Sequence, residues 1–157
     1  MKMFSIRLLS GIVILLTAVL GAAETPAPAK WSEDYLQARK EAAAVKKPIL
    51  LFFTGSDWCP PCMRLEKTVF SQKAFDRFAA TGKVILFKAD YPRSRRQDPR
   101  ISAQNRQLLQ VYNIQGYPTV ILADDSGREF ARTGFRTGGA EKYIRHLEEL
   151  LNKAPKK

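Results

Sequence analysis

The only two cysteines in the chain stand three positions apart in the stretch GSDWCPPCMRLE, residues 55–66. Two sulfurs at that spacing can hold a metal, staple the chain, or cycle between dithiol and disulfide. A structural zinc site takes four ligands, and the single histidine, His146, lies far along the chain. A lone pair of thiolates does suit copper(I), a soft ion. A staple across two intervening residues closes so small a loop that it hardly restricts the unfolded chain. Redox cycling needs one reachable, acidic sulfur and a second sulfur within disulfide reach. Cys59 at the mouth of a helix meets the first condition, because orphan amides and the helix dipole favour a thiolate over the free value near ~8.5. Cys62, one turn inside, meets the second and would resolve a mixed disulfide formed on Cys59.

The neighbouring elements must create that helix mouth. Ile49–Thr54 (ILLFFT) is a continuous apolar run bounded by Pro48 and Gly55, which predicts a central strand buried on both faces. Gly55–Trp58 is then a loop, and a helix follows from Pro61 through Met63, Leu65 and Val69. Neither Pro60 nor Pro61 has an N–H to donate, so the amide of Cys62 becomes the main donor near the Cys59 sulfur. Pro61 also disfavours helical angles at Pro60, which would start the helix one residue late. Glu66 lies four positions after Cys62, on the same helix face, and Asp57 two before Cys59. Either carboxylate could take a proton from a thiol; a plain solvated acid is the alternative for Glu66.

Farther out, Trp31–Lys47 predicts a helix capped by Ser32 and stopped before Pro48, and Ser71 caps another that ends at Gly82. Val84–Phe87 is a second apolar strand, and Asp90–Arg100 a polar loop too rich in Pro and Arg to be regular. Ser102 caps a helix through Tyr112; Gly116–Pro118 is a turn; Thr119–Leu122 and Arg128–Arg132 form a hairpin about Asp124–Gly127. Ala140–Asn152 is amphipathic, with Tyr143, Ile144, Leu147, Leu150 and Leu151 inward and His146 beside that stripe. Alternating strands and helices predict an α/β fold with a parallel core sheet and an antiparallel hairpin at one edge.

With these elements in place, Trp58-Cys-Pro-Pro-Cys62 resembles the Trp-Cys-x-x-Cys signature of the thioredoxin superfamily, and Tyr117-Pro118-Thr119 resembles its segment whose proline is cis and faces the cysteines. The resemblance spans roughly residues 31–151. It implies a thioredoxin fold: a central mixed sheet flanked by helices, with an extra N-terminal helix. Within the superfamily the chain is most similar to the C-terminal periplasmic domain of the membrane reductase DsbD and to related secreted thioredoxin-like proteins. Glu66-Lys67, Val69-Phe70-Ser71 and Thr133-Gly134-Phe135 carry that likeness. It implies a protein thiol–disulfide oxidoreductase, with the reducing direction favoured and an oxidase or isomerase as alternatives. Cys59, Cys62 and Glu66 would do the chemistry, with Trp58, Tyr117 and Pro118 as the platform for a partner chain. A copper(I) carrier or redox-inert interaction module is the rival from another class. The chain departs from the superfamily in one respect: thioredoxins bury an aspartate six residues before the first cysteine, where this chain has Phe53, and the accompanying lysine aligns with Leu86.

The first 23 residues read as an export signal: Lys2 and Arg7, the apolar run Gly11–Leu20, then Gly21-Ala22-Ala23 for cleavage. The run is short for a membrane span, and an uncleaved anchor is the alternative. Residues 24–30 would be a leader, 31–152 the domain and 153–157 a basic tail. Export into a bacterial periplasm or beyond is an oxidising destination. The expected partners are proteins that carry disulfides or dithiols, with no cofactor, nucleic acid or stable membrane span. Cleavage removes two basic residues and no acids, leaving 24 basic against 15 acidic residues, or +9. Arg93, Arg95, Arg96 and Arg100 crowd the loop after the second strand, which emerges at the same sheet end as Cys59. They could steer acidic partners, or simply solvate the loop.

Overall fold

Strand β1 (Ile49–Thr54) is the centre of the molecule, and all of its residues are buried. A run with no polar face has nowhere else to go. The computed structural model describes residues 26–155, so the expected export signal lies outside the described residues. Helix α1 (Tyr35–Val45) precedes β1. Helix α2 (Pro60–Leu65) follows it and runs into a π-helical turn at Glu66–Phe70. Next come α3 (Lys73–Ala80), β2 (Ile85–Asp90), α4 (Pro99–Val111), β3 (Thr119–Ala123), β4 (Glu129–Gly134) and α5 (Gly139–Leu151).

The strands form one mixed sheet in the order β2-β1-β3-β4. Only β1 and β2 are parallel; β3 runs antiparallel to β1 and β4 antiparallel to β3. The expected parallel core is thus the β1–β2 pair, and the expected hairpin joins it as antiparallel strands on one side. The path of α4 explains why. Arg100, near its start, pairs with Asp34 ahead of α1, and Tyr112, just past its end, donates to Gly127 O in the β3–β4 turn. Residues 113–118 then lead back to the sheet end where β1 stops, so β3 begins opposite Phe53. This reversal brings Tyr117 against Trp58, the residue before Cys59.

Three expected caps give way to others. Asp34, not Ser32, caps α1 by accepting from Gln37 N. Ser32 is held in extended form, its N–H donating to Leu86 O and its carbonyl accepting from Lys88 N, so a helix cannot begin there. Gln72 rather than Ser71 precedes α3, because Ser71 N closes the π-helical turn onto Glu66 O at 2.8 Å. Asp98 caps α4 through Arg100 N and Ile101 N, with Pro99 at the first helical position, so α4 claims the last residues of the expected loop. Ser102 instead accepts from Arg106. β2 also runs on to Asp90, beyond its apolar stretch.

Alternate strand residues face two layers. Leu50, Phe52, Leu86, Val120 and Leu122 pack with α2, α3 and α5, where Trp31 lies against Phe70 and Phe75. Ile49, Leu51, Phe53, Phe87 and Ile121 pack with residues of α1 and α4. Ala29, in the leader, donates its N–H to Asp76 at 2.8 Å and packs on the first cluster.

Candidate active site

Cys59 is the N-cap of α2, in extended conformation (φ −102°, ψ 99°), and the helix starts at Pro60, one residue earlier than the Pro-Pro argument expects. The two prolines occupy positions whose N–H groups would be orphans anyway. Cys59 and Cys62 are joined, with Sγ–Sγ 2.09 Å and Cα–Cα 5.2 Å. Cys62 has no accessible surface and Cys59 is 4% exposed. Cys59, expected as an exposed nucleophile, is thus corrected to a buried residue, although what accessible surface the pair has lies on it. The Cys59 amide donates to Gly55 O at 3.0 Å, which folds the loop tightly over the end of β1.

Of the three residues expected to form the platform, Trp58 and Tyr117 are in contact, and Pro118 follows Tyr117 directly. The Tyr117–Pro118 peptide is cis. The Trp58 ring meets Tyr117 edge-on at 5.6 Å, and Tyr117 meets Tyr91 at 5.3 Å. Trp58 Nε1 donates to Tyr91 O at 2.7 Å. The indole lies so close over Gly55 that a Cβ there would come within 2.4 Å of it. Burial raises the phenol of Tyr117 above its ordinary range, so the platform stays neutral on that side.

The loop after β2 is bolted to this platform by two carboxylates. Asp90, 2% exposed, accepts from Ser56 N at 3.0 Å, Ser56 Oγ at 2.7 Å and Arg95 Nη2 at 2.5 Å. Asp57 accepts from Arg93 N at 3.0 Å, Ser94 N at 2.7 Å and the Ser94 hydroxyl. The Ser94 hydroxyl first, and then the Ser94 and Arg93 amides, hold the Asp57 carboxyl down from 3.8 to about 2. Asp57 is therefore a loop anchor, and the notion that it could take a thiol proton is corrected. A carboxyl whose value is depressed by folding stabilises the fold above its unfolded value, and that contribution is lost as pH falls through about 2. In a Trp31→Phe background, Trp58 fluorescence should stay constant from pH 7 to about 4 and change only as pH nears 2. Asp57→Asn should remove that acid transition; a midpoint near 3.8 would show that the anchor is not formed.

Glu66 is half-buried, and its carboxylate accepts from Lys88 Nζ at 2.5 Å. The Lys88 ammonium also lies 5.9 Å from the Trp31 ring centroid. Phe53, in the place of the thioredoxin aspartate, faces the other layer, with its ring 5.8 Å from that of Tyr112. A carboxylate–lysine pair is nonetheless present on the Cys62 side of the sheet, supplied by α2's extension and by β2. Lys88 was missed in the sequence. Its signal was a lone cation two residues after Leu86, hence on the same strand face. Asp90 and Tyr91 were also missed as site residues, because each was read only as the start of a loop. His146 lies well away, with Nε2 3.0 Å from Thr133 Oγ1; burial, then Arg136, lowers its titration.

A closed Cys-x-x-Cys at a strand–helix corner, faced by a cis-proline loop, defines a thiol–disulfide oxidoreductase. The chain belongs to the thioredoxin-like domain family, whose model matches residues 35–151. Among curated proteins, the disulfide bond reductase DsbH of Chlamydia pneumoniae is 31% identical over 119 residues, covering 76% of this chain and 71% of that protein. The thioredoxin-related protein DsbJ of the same organism is 30% identical over 131 residues, or 79% of this chain and 37% of that one. The thiol:disulfide interchange protein DsbD of Actinobacillus pleuropneumoniae is 30% identical over 118 residues; 73% of this chain is covered but only 18% of DsbD. Of solved structures, a DsbH oxidoreductase superposes with a TM-score of 0.77 at 29% identity, covering 91% of this chain and 95% of that one. A thioredoxin from Thermus thermophilus (TM-score 0.57, 18% identity, 79% and 88% coverage) shares the fold.

Proposed function

We propose that the chain is an exported disulfide reductase that passes two electrons from an upstream dithiol protein to disulfides in partner proteins. The observation that carries this is the Cys59–Cys62 pair at the mouth of α2, accessible only at Cys59 and flanked by the Trp58–Tyr117–Pro118 platform. In the reduced protein Cys59 gives up its proton, and its thiolate attacks one sulfur of the partner disulfide. That S–S bond breaks, a Cys59–partner bond forms, and the other partner sulfur leaves as a thiolate that takes up a proton. Cys62 then loses its proton and attacks Cys59 Sγ, the mixed bond breaks, and the second partner sulfur departs. Two electrons have moved, and a second dithiol must return two to reopen the pair.

Glu66 is the acceptor for the Cys62 proton in this reading, and Lys88 positions its carboxylate. Glu66→Gln should then change the pH–rate profile of the resolving step; an unaltered profile removes that role. Likeness to a protein named a disulfide bond reductase favours the reducing direction, and residues 1–23 have the pattern of an export signal. The deciding measurement is the Cys59–Cys62 potential against glutathione. A value near ~−270 mV supports the reductase, and one near ~−120 mV makes the protein an oxidant. Stoichiometric, tight copper(I) binding by a reduced protein that leaves disulfides intact would replace the redox reading with a metal carrier.

A further inference from the structure

The arginines of the loop after β2 fall into two kinds. Arg95 is committed to Asp90 at 2.5 Å and Arg100 to Asp34 at 2.8 Å. Arg93 and Arg96 are exposed and have no carboxylate on their guanidinium groups among the described residues. Arg93 stacks on the platform itself, its guanidinium carbon 3.7 Å from the Trp58 ring centroid. The two acids that anchor this loop, Asp57 and Asp90, have their oxygens turned to the loop's own N–H groups, to Ser56 and to Arg95. Further bonds hold the loop down: Gln97 Nε2 and Asn105 Nδ2 both donate to Asp90 O, at 3.1 and 2.9 Å. Positive charge is thereby fixed beside Cys59, and the local negative charge is used in fixing it.

We propose that Arg93 and Arg96 form a docking site for acidic residues next to the partner's cysteine, so that the protein selects disulfides in Asp- or Glu-rich extended segments. This rests on the oxidoreductase reading above and adds its substrate class. A guanidinium stacked flat on an indole keeps its edge N–H donors free, and that fork matches a carboxylate. A partner strand lying across Trp58 and Pro118 to bring its sulfur to Cys59 carries its flanking side chains past that edge. Arg96, on the same anchored loop, adds attraction at longer range and speeds encounter.

The test uses the pre-reduced full chain and two disulfide peptides that differ only in having Glu or Lys on both sides of each cysteine. The second-order rate constant of exchange is measured at low and high salt. The Glu peptide should react about tenfold faster or more at low salt, with the ratio shrinking as salt rises. Arg93→Gln combined with Arg96→Ala should bring the ratio below about threefold. Arg77→Ala combined with Arg145→Ala removes the same charge from α3 and α5 and should keep the preference. Glutamine at 93 retains a flat group to lie on Trp58, and the potential of that variant reports whether the dithiol is intact. A wild-type ratio near one, an unchanged ratio in the Arg93/Arg96 variant, or an equal loss in the α3/α5 control overturns the proposal while leaving the oxidoreductase reading in place. Failure of the wild-type chain to exchange with either peptide overturns both.

Discussion

Cys59→Ser should lose disulfide exchange by roughly 10³-fold or more, the order lost when an enzyme is deprived of its nucleophile. Cys62→Ser should behave differently, accumulating a covalent adduct with the partner. The asymmetry follows from burial. All accessible surface of the pair lies on Cys59, at the cap of α2, whereas Cys62 is enclosed one turn inside the helix. Attack is therefore expected at Cys59, the member of the pair that keeps any accessible surface, and not at Cys62, which keeps none. Without Cys62 the mixed disulfide on Cys59 has no internal thiolate to resolve it and persists until an external thiol arrives. Intact-mass analysis after mixing with a disulfide peptide reads both variants. An adduct on Cys62 in Cys59→Ser, or no adduct in Cys62→Ser, would reverse the assigned order of attack.

Asp90→Ala should destabilise the fold by about 2–3 kcal/mol and slow exchange along with it. The carboxylate is nearly inaccessible and satisfies both the amide and hydroxyl of Ser56, the residue from which the active-site loop departs. Alanine leaves those two groups without their acceptor. The ion pair with Arg95 adds little to this total, because that guanidinium is 54% exposed and water can take it over. A loss of this size lowers the melting temperature of a domain this long by about 10 °C. Asp90→Asn, which keeps an acceptor oxygen for Ser56 N, should cost about half as much. Thermal unfolding followed by circular dichroism gives both values, and a change under about 0.5 kcal/mol for Asp90→Ala would mean the loop is held by other contacts.

Much of the site was legible in the chain because its signals are local. An unbroken apolar run makes β1 a buried strand whatever surrounds it. A cysteine directly after the loop that leaves that strand and before two prolines stands at the mouth of the next helix, though the residue at which that helix starts was misplaced by one. The stripe Tyr143, Leu147, Leu150 selects the inward face of α5, and all three are buried. These features depend on steric and hydrogen-bonding preferences that act within a turn or a strand.

What the chain alone left open depends on groups far apart in sequence. Ser32 lost its cap role to a strand contact with β2, and Asp57 its proton-accepting role to a loop that starts more than thirty residues later, the Ser94–Asp57 separation being 37. Lys88 finds Glu66 across 22 positions only because β2 lies beneath the π-helical turn. The four loop arginines read alike in sequence, yet packing pairs the guanidinium groups of two with acids and leaves those of Arg93 and Arg96 without a carboxylate among the described residues. The sequence by itself determined where the sulfurs stand and which strand and helix carry them. Tertiary structure decided which charges face them, because the partner of a charged group is set by the elements that pack together and not by its neighbours along the chain.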